Sequence, residues 1–445
     1  MQPIKHQPSN CDYTIIGKWR EPKSLYFLLG SSIPFITIGP EIAAQTYISP
    51  SILLGIIAAS LKILDGKVSS RFLFQILMLT IFLATSIFRH PSDTYLASIA
   101  ALFSATLPLT ITNISNSSHR SLIAGFTTGF MATATLMWLD IFFQNFNLST
   151  AHGALALFTG RDSASFSSHN WFIAYFRPQA FFSEPSHLAI YLAFAYVIFD
   201  MGNQKSGGIL KSITLSSILA LGSIVGYILL ATYVTFIFFS STNKINSRRT
   251  SWLSFVIAAF LIIFFTSLPQ DSFNNLLNQI EQRFLVLTHG VSIDSIESSE
   301  GSRILAFAAL PTFWIDQGIS GFLFGTGYGN YQEWLIGNYY NFSTFASFAR
   351  GHVDNIFVVV MLSTGFIGFM FYIIFIYFII RTIPAPARLP VTIFFTAFHF
   401  ATGFLIQYLH WHLLFVLLSV SRTSLLNEEP KTSTPILQSS RYEYK

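Results

Sequence analysis

Charge is scarce in this chain: Asp, Glu, Lys and Arg make up only 10% of its 445 residues. A water-facing globular protein carries about 25%, so a fold with its whole surface in water is excluded. Cysteine is scarcer still. Cys11 stands alone, which removes disulfide scaffolds and cysteine-based metal clusters from consideration. Apolar residues fill the gap, with 52% hydrophobic, 48 Phe, 18 Tyr and 7 Trp. Such material suits lipid-facing surface and interfacial belts. The formal net charge of +5 is not a sign of nucleic-acid binding, because in a membrane protein the location of charges matters more than their sum.

A transmembrane helix needs about 20 mostly apolar residues to cross a hydrocarbon core of roughly 30 Å. Cutting the chain at charge clusters and at Pro, Gly, Asn and Ser breaks gives spans at 25–39, 48–64, 72–88, 94–112, 121–143, 186–200, 252–268 and 353–380. Two stretches, Ser212 to Asn243 and Leu389 to Ser421, run without Asp, Glu, Lys or Arg for over 30 residues each. One straight helix of that length overshoots the bilayer by about half. Each therefore reads as two short passes, the first breaking near Gly222-Ser223-Ile224-Val225-Gly226 and the second near Gln407-Tyr408-Leu409-His410.

Cytoplasmic loops collect Lys and Arg, and the basic residues flanking both long stretches fall on one side only if each is crossed twice. The expectation is an all-α polytopic membrane protein, a single transmembrane domain over 1–445 with about twelve helices. Both termini are cytoplasmic, 422–445 is a cytoplasmic tail, and 19 of the 25 cations lie inside. The N-terminus does not read as a cleaved signal, since no small-residue cleavage site follows its first apolar run. Two outside loops are long, 144–185 and 269–352, the second with short helices. Loops of that size are usually functional or disordered, and the aromatic, helix-like segments here favour function. Thirteen of the 20 acidic residues lie outside, yet the six outside cations, Arg89, Arg161, Arg177, Arg283, Arg303 and Arg350, are all arginine. Arginine suits forked contact with phosphate or carboxylate, although positive-inside selection could equally deplete lysine.

The first loop ends Arg177-Pro178-Gln179-Ala180-Phe181-Phe182-Ser183-Glu184-Pro185-Ser186. Proline is favoured at the first helical position, so Pro185 should open a membrane helix with Glu184 at its cap. Glutamate is not a favoured cap; at a helix N-terminus it is held ionised and could orient a hydroxyl, accept a proton or pair with Arg177. In the second loop, Gly301-Ser302-Arg303 reads as a Ser-capped helix start with a cation placed unfavourably beside the dipole, which a nearby anion would relieve. Gly325-Thr326-Gly327-Tyr328-Gly329-Asn330-Tyr331 resembles a glycine-rich phosphate loop but lacks its lysine and context, and reads as tight turns. Arg350-Gly351-His352-Val353-Asp354-Asn355 leads into a long apolar helix, where the dipole would keep His352 neutral and able to act as a base. Asp140 and Asp200, at span ends, read as anchors or caps. His399, His410 and His412 lack the carboxylate or cysteine partners a metal site would want.

Together these pieces resemble the bacterial O-antigen polymerase and O-antigen ligase superfamily. The resemblance covers roughly 170–370 and rests on four motifs: Arg…Phe-x-Glu-Pro-Ser, Gly-Ser-Arg, Phe-Gly-x-Gly-x-Gly-Asn, and Gly-His-x-Asp-Asn before Ser-Thr-Gly-Phe-Ile-Gly. It implies a GT-C-like glycosyltransferase architecture with both large loops periplasmic, in the bacterial inner membrane. It also implies a metal-independent transferase without cofactor, acting on undecaprenyl-diphosphate-linked glycans at the periplasmic face. By residue, it points to Arg177 and Arg303 as diphosphate contacts and to His352 as the base; on residue type and position, Arg350 is a further candidate contact and Glu184 the alternative base. The Phe182-Ser183-Glu184-Pro185-Ser186 run is more similar to polymerases, which would join repeat units with a chain-length regulator and a flippase as partners; the ligase, moving polymer to a lipid A core, is the alternative. A glycolipid transporter or flippase is the reading of another class, disfavoured because the cores of the spans are uncharged.

Overall fold

The computed structural model describes residues 22–35, 41–43, 46–47, 49–65, 70–87, 95–111, 114–146, 180–182, 185–202, 207–221, 223–240, 309–328, 330–337, 355–383, 385–401 and 408–428, together with single positions such as 307 and 353 and without residue 329. Among them the chain is helical apart from one short antiparallel pair, β1 (Glu41–Ala43) with β2 (Thr46–Tyr47). The helices are α1 (Lys23–Ser32), α2 (Pro50–Leu64), α3 (Ser70–Ile87), α4 (Tyr95–Thr106), α5 (Asn116–Asn145), α6 (Pro185–Met201), α7 (Gly207–Leu221), α8 (Ile224–Ser240), α9 (Ala309–Phe324), α10 (Tyr331–Gly337), α11 (Ile356–Arg381), α12 (Ala385–Ala401) and α13 (Tyr408–Glu428). Three segments, Ser70–Ile87, Asn116–Phe143 and Ile356–Arg381, are long and apolar enough to cross a membrane.

The surface agrees with lipid as the surrounding solvent. Leu53, Ile57 and Leu64 on α2, Leu73, Ile76 and Leu77 on α3, and Trp138 and Phe142 on α5 are all exposed. Soluble monomers rarely expose contiguous apolar area beyond a few hundred Å², so this is a helical membrane protein. Its centre is built from two helices that are apolar all round, the pattern of a core element. In α6 every residue from His187 to Phe199 is buried, and in α13 every residue from Leu409 to Ser421. α13 packs on α4, α5 and α6, while α12 packs on α8 and α11.

Local signals place the helix ends. Ser49 caps α2 by accepting from the Ile52 N–H at 3.4 Å, and Pro50 follows at the first position, where its missing N–H costs nothing. Pro108 interrupts the end of α4, leaving carbonyls without helical partners. Two α3 side chains supply them: Arg71 Nη1 donates to the Leu109 carbonyl at 3.3 Å, and Gln75 Nε2 donates to the Phe103 carbonyl at 3.1 Å and to Thr106 Oγ1 at 2.6 Å.

Both long uncharged stretches divide in two. α7 ends at Leu221 and α8 begins at Ile224, while α12 ends at Ala401 and α13 begins at Tyr408. The Tyr227 hydroxyl reaches back across the first break to the Leu219 carbonyl at 2.9 Å. Asp200 does act as an anchor, accepting from Lys211 Nζ at 2.9 Å and from the Tyr233 hydroxyl at 3.3 Å, so the end of α6 is pinned to α7 and α8.

Two expected spans change. The first, 25–39, stops as a helix at Ser32. Pro34 has no N–H with which to continue the ladder, and the chain turns instead, Phe35 N–H donating to the Ser32 carbonyl at 3.0 Å. The span at 353–380 is not one straight helix. α11 is broken at Gly365, which takes φ 64° and ψ −168°. Phe357 and Phe369 are twelve residues apart, about 18 Å along a straight axis, yet their ring centroids lie 6.0 Å apart. The two halves of α11 are therefore folded toward each other.

Candidate functional site

Arg177, Glu184, Arg303, Arg350 and His352 lie outside the described residues. What the structure gives is how the segments beside them are anchored. α6 begins at Pro185, directly after Glu184. Ahead of it, Ala180 adopts the left-handed region at φ 48°, a conformation costing an alanine roughly 1–2 kcal/mol. Two buried rings hold that turn in place: Phe181 packs edge-on to Phe35 at 4.6 Å, and Phe182 lies 5.4 Å from Tyr191 in α6. The end of the first loop is thus fastened to α6 and to the turn after α1.

The other two segments meet at one ring. Phe307, four residues beyond Arg303, packs on Phe400 at 5.7 Å. Phe357, five residues beyond His352, packs on the same ring at 5.2 Å. Phe400 stands near the C-terminus of α12, and its neighbour Phe398 lies 5.4 Å from Phe194 of α6. The end of α12 therefore links the helix after Glu184, the segment after Arg303 and the helix after His352. Asn355 caps that last helix, its side chain accepting from the Val358 N–H at 3.2 Å.

The glycine-rich run forms tight turns that clasp the break in α11. The bend at Gly365 frees the carbonyls of Leu362 and Ser363 from their helical partners. The Thr326 and Gly327 N–H groups replace them, each donating at 2.8 Å. Tyr328 follows, with its N–H donating to Ser86 Oγ of α3 at 2.7 Å and its ring 5.3 Å from Phe82. α9, which precedes the run, packs on α11 and is itself broken at Gly318. On its exposed face Asp316 accepts from Trp334 Nε1 of α10 at 2.8 Å and from Gln317 at 3.0 Å, and these bonds hold its carboxyl below the usual aspartate range.

Two polar arrangements were not read from the sequence. The Tyr372 hydroxyl of α11 is 2.6 Å from His399 Nε2 of α12, both buried, and His399 Nδ1 lies 2.7 Å from the Phe395 carbonyl. The spacing of these residues carries no signal for that pair, because different helices supply them. The second is the Asn355 amide, which is fully buried with no partner for Nδ2 among the described residues. An Asn ahead of an apolar run is a readable cap signal. No family model matches the chain, and no curated protein matches its sequence.

Proposed function

We propose that the protein is an inner-membrane glycosyltransferase that polymerises undecaprenyl-diphosphate-linked repeat units into O-antigen or a related surface polysaccharide at the periplasmic face. In this reading the chain crosses the membrane about twelve times, with 144–185 and 269–352 as periplasmic loops. The observation that carries it is the convergence on Phe400, where the segments following Arg303 and His352 share one ring contact. Two segments in and just after the second loop, some fifty residues apart in sequence and each following a chemistry-rich motif, are tied to one helix end, as a site assembled from both requires.

The chemistry follows from the residue types. A sugar hydroxyl of the acceptor unit attacks the anomeric carbon of the donor chain, the bond from that carbon to the diphosphate oxygen breaks, and the lipid diphosphate departs with the electron pair. Arg177, Arg303 and Arg350 would neutralise charge developing on that leaving group. His352, or Glu184 in its place, would take the hydroxyl proton, a contribution typically worth roughly 10² to 10⁴ in rate. The lipid tails would require apolar grooves between helices.

Incubation of the purified protein with one defined lipid-linked repeat unit tests this directly. A ladder of lipid-linked oligomers is the expected product. Absence of a ladder, with transfer of preformed polymer to a lipid A core, would replace polymerase by ligase. Neither product would remove the transferase reading.

A further inference from the structure

We propose that the N-terminus of α11 is an anion seat with Asn355 as its side-chain donor, and that it takes a phosphate oxygen of the lipid-linked diphosphate. The choice of diphosphate rests on the glycosyl-transfer reading above, whereas the seat itself does not. The half of α11 before Gly365 runs Ile356–Thr364 and is enclosed by protein, with Ile356, Val358 and Val360 each 0% exposed. Its first-turn N–H groups have no acceptors within the helix and carry the positive end of the dipole. No acidic side chain occupies that turn.

The carboxamide of Asn355 is oriented by its own cap. Because Oδ1 must accept from the Val358 N–H, the planar group holds Nδ2 at the same helix mouth. That Nδ2 is buried and donates to no acceptor among the described residues. A buried donor without an acceptor is costly, and a helix N-terminus binds phosphate and carboxylate readily. An amide donor and the positive end of a helix dipole at one enclosed point call for the same partner, an anionic oxygen. His352, the proposed base, stands three residues before Asn355 in the sequence.

The test is a ³¹P NMR titration of the full-length, detergent-purified protein with inorganic diphosphate, and in a second arm with dihexanoylphosphatidylglycerol. Asn355→Asp retains the capping oxygen, removes the donor and adds like charge. Diphosphate binding by the wild type, weakened about ten-fold or more in Asn355→Asp at unchanged melting temperature, is the expected result. Should Asn355→Asp fail to fold, Asn355→Ser keeps a cap without the amide and is expected to show the same loss. Equal diphosphate affinity in wild type and folded variant overturns the proposal, as does absence of wild-type binding. Binding of the phosphatidylglycerol alone overturns the diphosphate assignment in favour of a membrane headgroup. Loss of binding without any ladder in the transfer assay leaves the seat standing and removes the polymerase. A normal ladder from Asn355→Asp does the reverse.

Discussion

Gly325 and Gly365 cross backbone against backbone. A Cβ on Gly325 would lie 2.5 Å from the Ser363 carbonyl carbon, and one on Gly365 would collide with the main chain at Leu323 and Phe324. Both residues also take positive φ, 69° and 64°, so no L side chain suits either place. The sharp fold in α11 and the clasp that holds it depend on the same two absent methyl groups.

Gly365→Ala and Gly325→Ala should therefore each destabilise the protein by about 2–4 kcal/mol, combining left-handed strain with overpacking. Thermal melts in detergent check this. Gly337→Ala and Gly208→Ala, where an added Cβ meets nothing within 4 Å, serve as controls and should shift the melt little.

The α1–α5 contact gives a second glycine test. A Cβ on Gly125 would strike the Phe27 carbonyl, one on Gly30 the Leu122 carbonyl, and one on Gly129 would lie 2.6 Å from the Ser31 oxygen. Close backbone approach through small residues is how helices associate without a hydrophobic drive between them. Gly125→Leu should separate α1 from α5 and cost more than Gly125→Ala, measured as loss of the wild-type folded peak on size exclusion.

Tyr372→Phe leaves His399 without its hydroxyl partner and should cost about 1–3 kcal/mol, the penalty for an unsatisfied buried polar group. Tyr372→Phe combined with His399→Phe should recover part of that loss. A double-mutant cycle on melting temperature reads the coupling, and strict additivity would show that the 2.6 Å contact contributes nothing.

Removal of the arginine contacts separates chemistry from folding. Arg177→Ala and Arg303→Ala should abolish polymer while the protein still inserts and melts normally. Wild-type chain-length distributions in both would exclude diphosphate binding by these side chains. His352→Ala, assayed for transfer across pH, should lose activity and its neutral-range pH dependence together; full activity would leave Glu184 as the base.

Asp316 offers a pH reporter on the second loop. Its carboxyl is depressed by hydrogen bonds from Trp334 and Gln317, so the contact is fully present above the ordinary aspartate pKa and is lost as pH falls through the lower folded value. Trp334 emission should hold steady down to about pH 4 and change below it. Asp316→Asn should remove the transition, with little effect on stability because the site is exposed.

Legibility from the sequence varied with the physical scale of the signal. That each long uncharged stretch holds two helices followed from length, since over 30 uncharged residues cannot cross a bilayer once as a straight helix. The breaks read at 222–226 and 407–410 reach into helix, however, because α8 begins at Ile224 and α13 at Tyr408. The early end of α1 was signalled too, by Pro34 inside the expected span. The break at Gly365 was not. It sits in an unbroken apolar run, where glycine is common in membrane helices, and the hydrogen bonds that favour the bend come from Thr326 and Gly327 almost forty residues away. The Asn355 cap could be read locally, but the burial that strands its amide is a product of packing. The arginines, Glu184 and His352 stand beyond the described residues, so what the fold adds is the anchoring on either side of them.

The pairing of α1 with α5 has a consequence for how the protein is made. α1 spans ten residues, about 15 Å of helix against roughly 30 Å of hydrocarbon, and is a weak candidate for stable insertion alone. Its partner surface, Leu122 to Gly129, is synthesised some ninety residues later, several seconds at about 5–20 residues per second. During that interval α1 has α2 beside it but not the close backbone contact with α5, so its retention depends on α2, the translocation machinery or the interface rather than on its own fit to lipid.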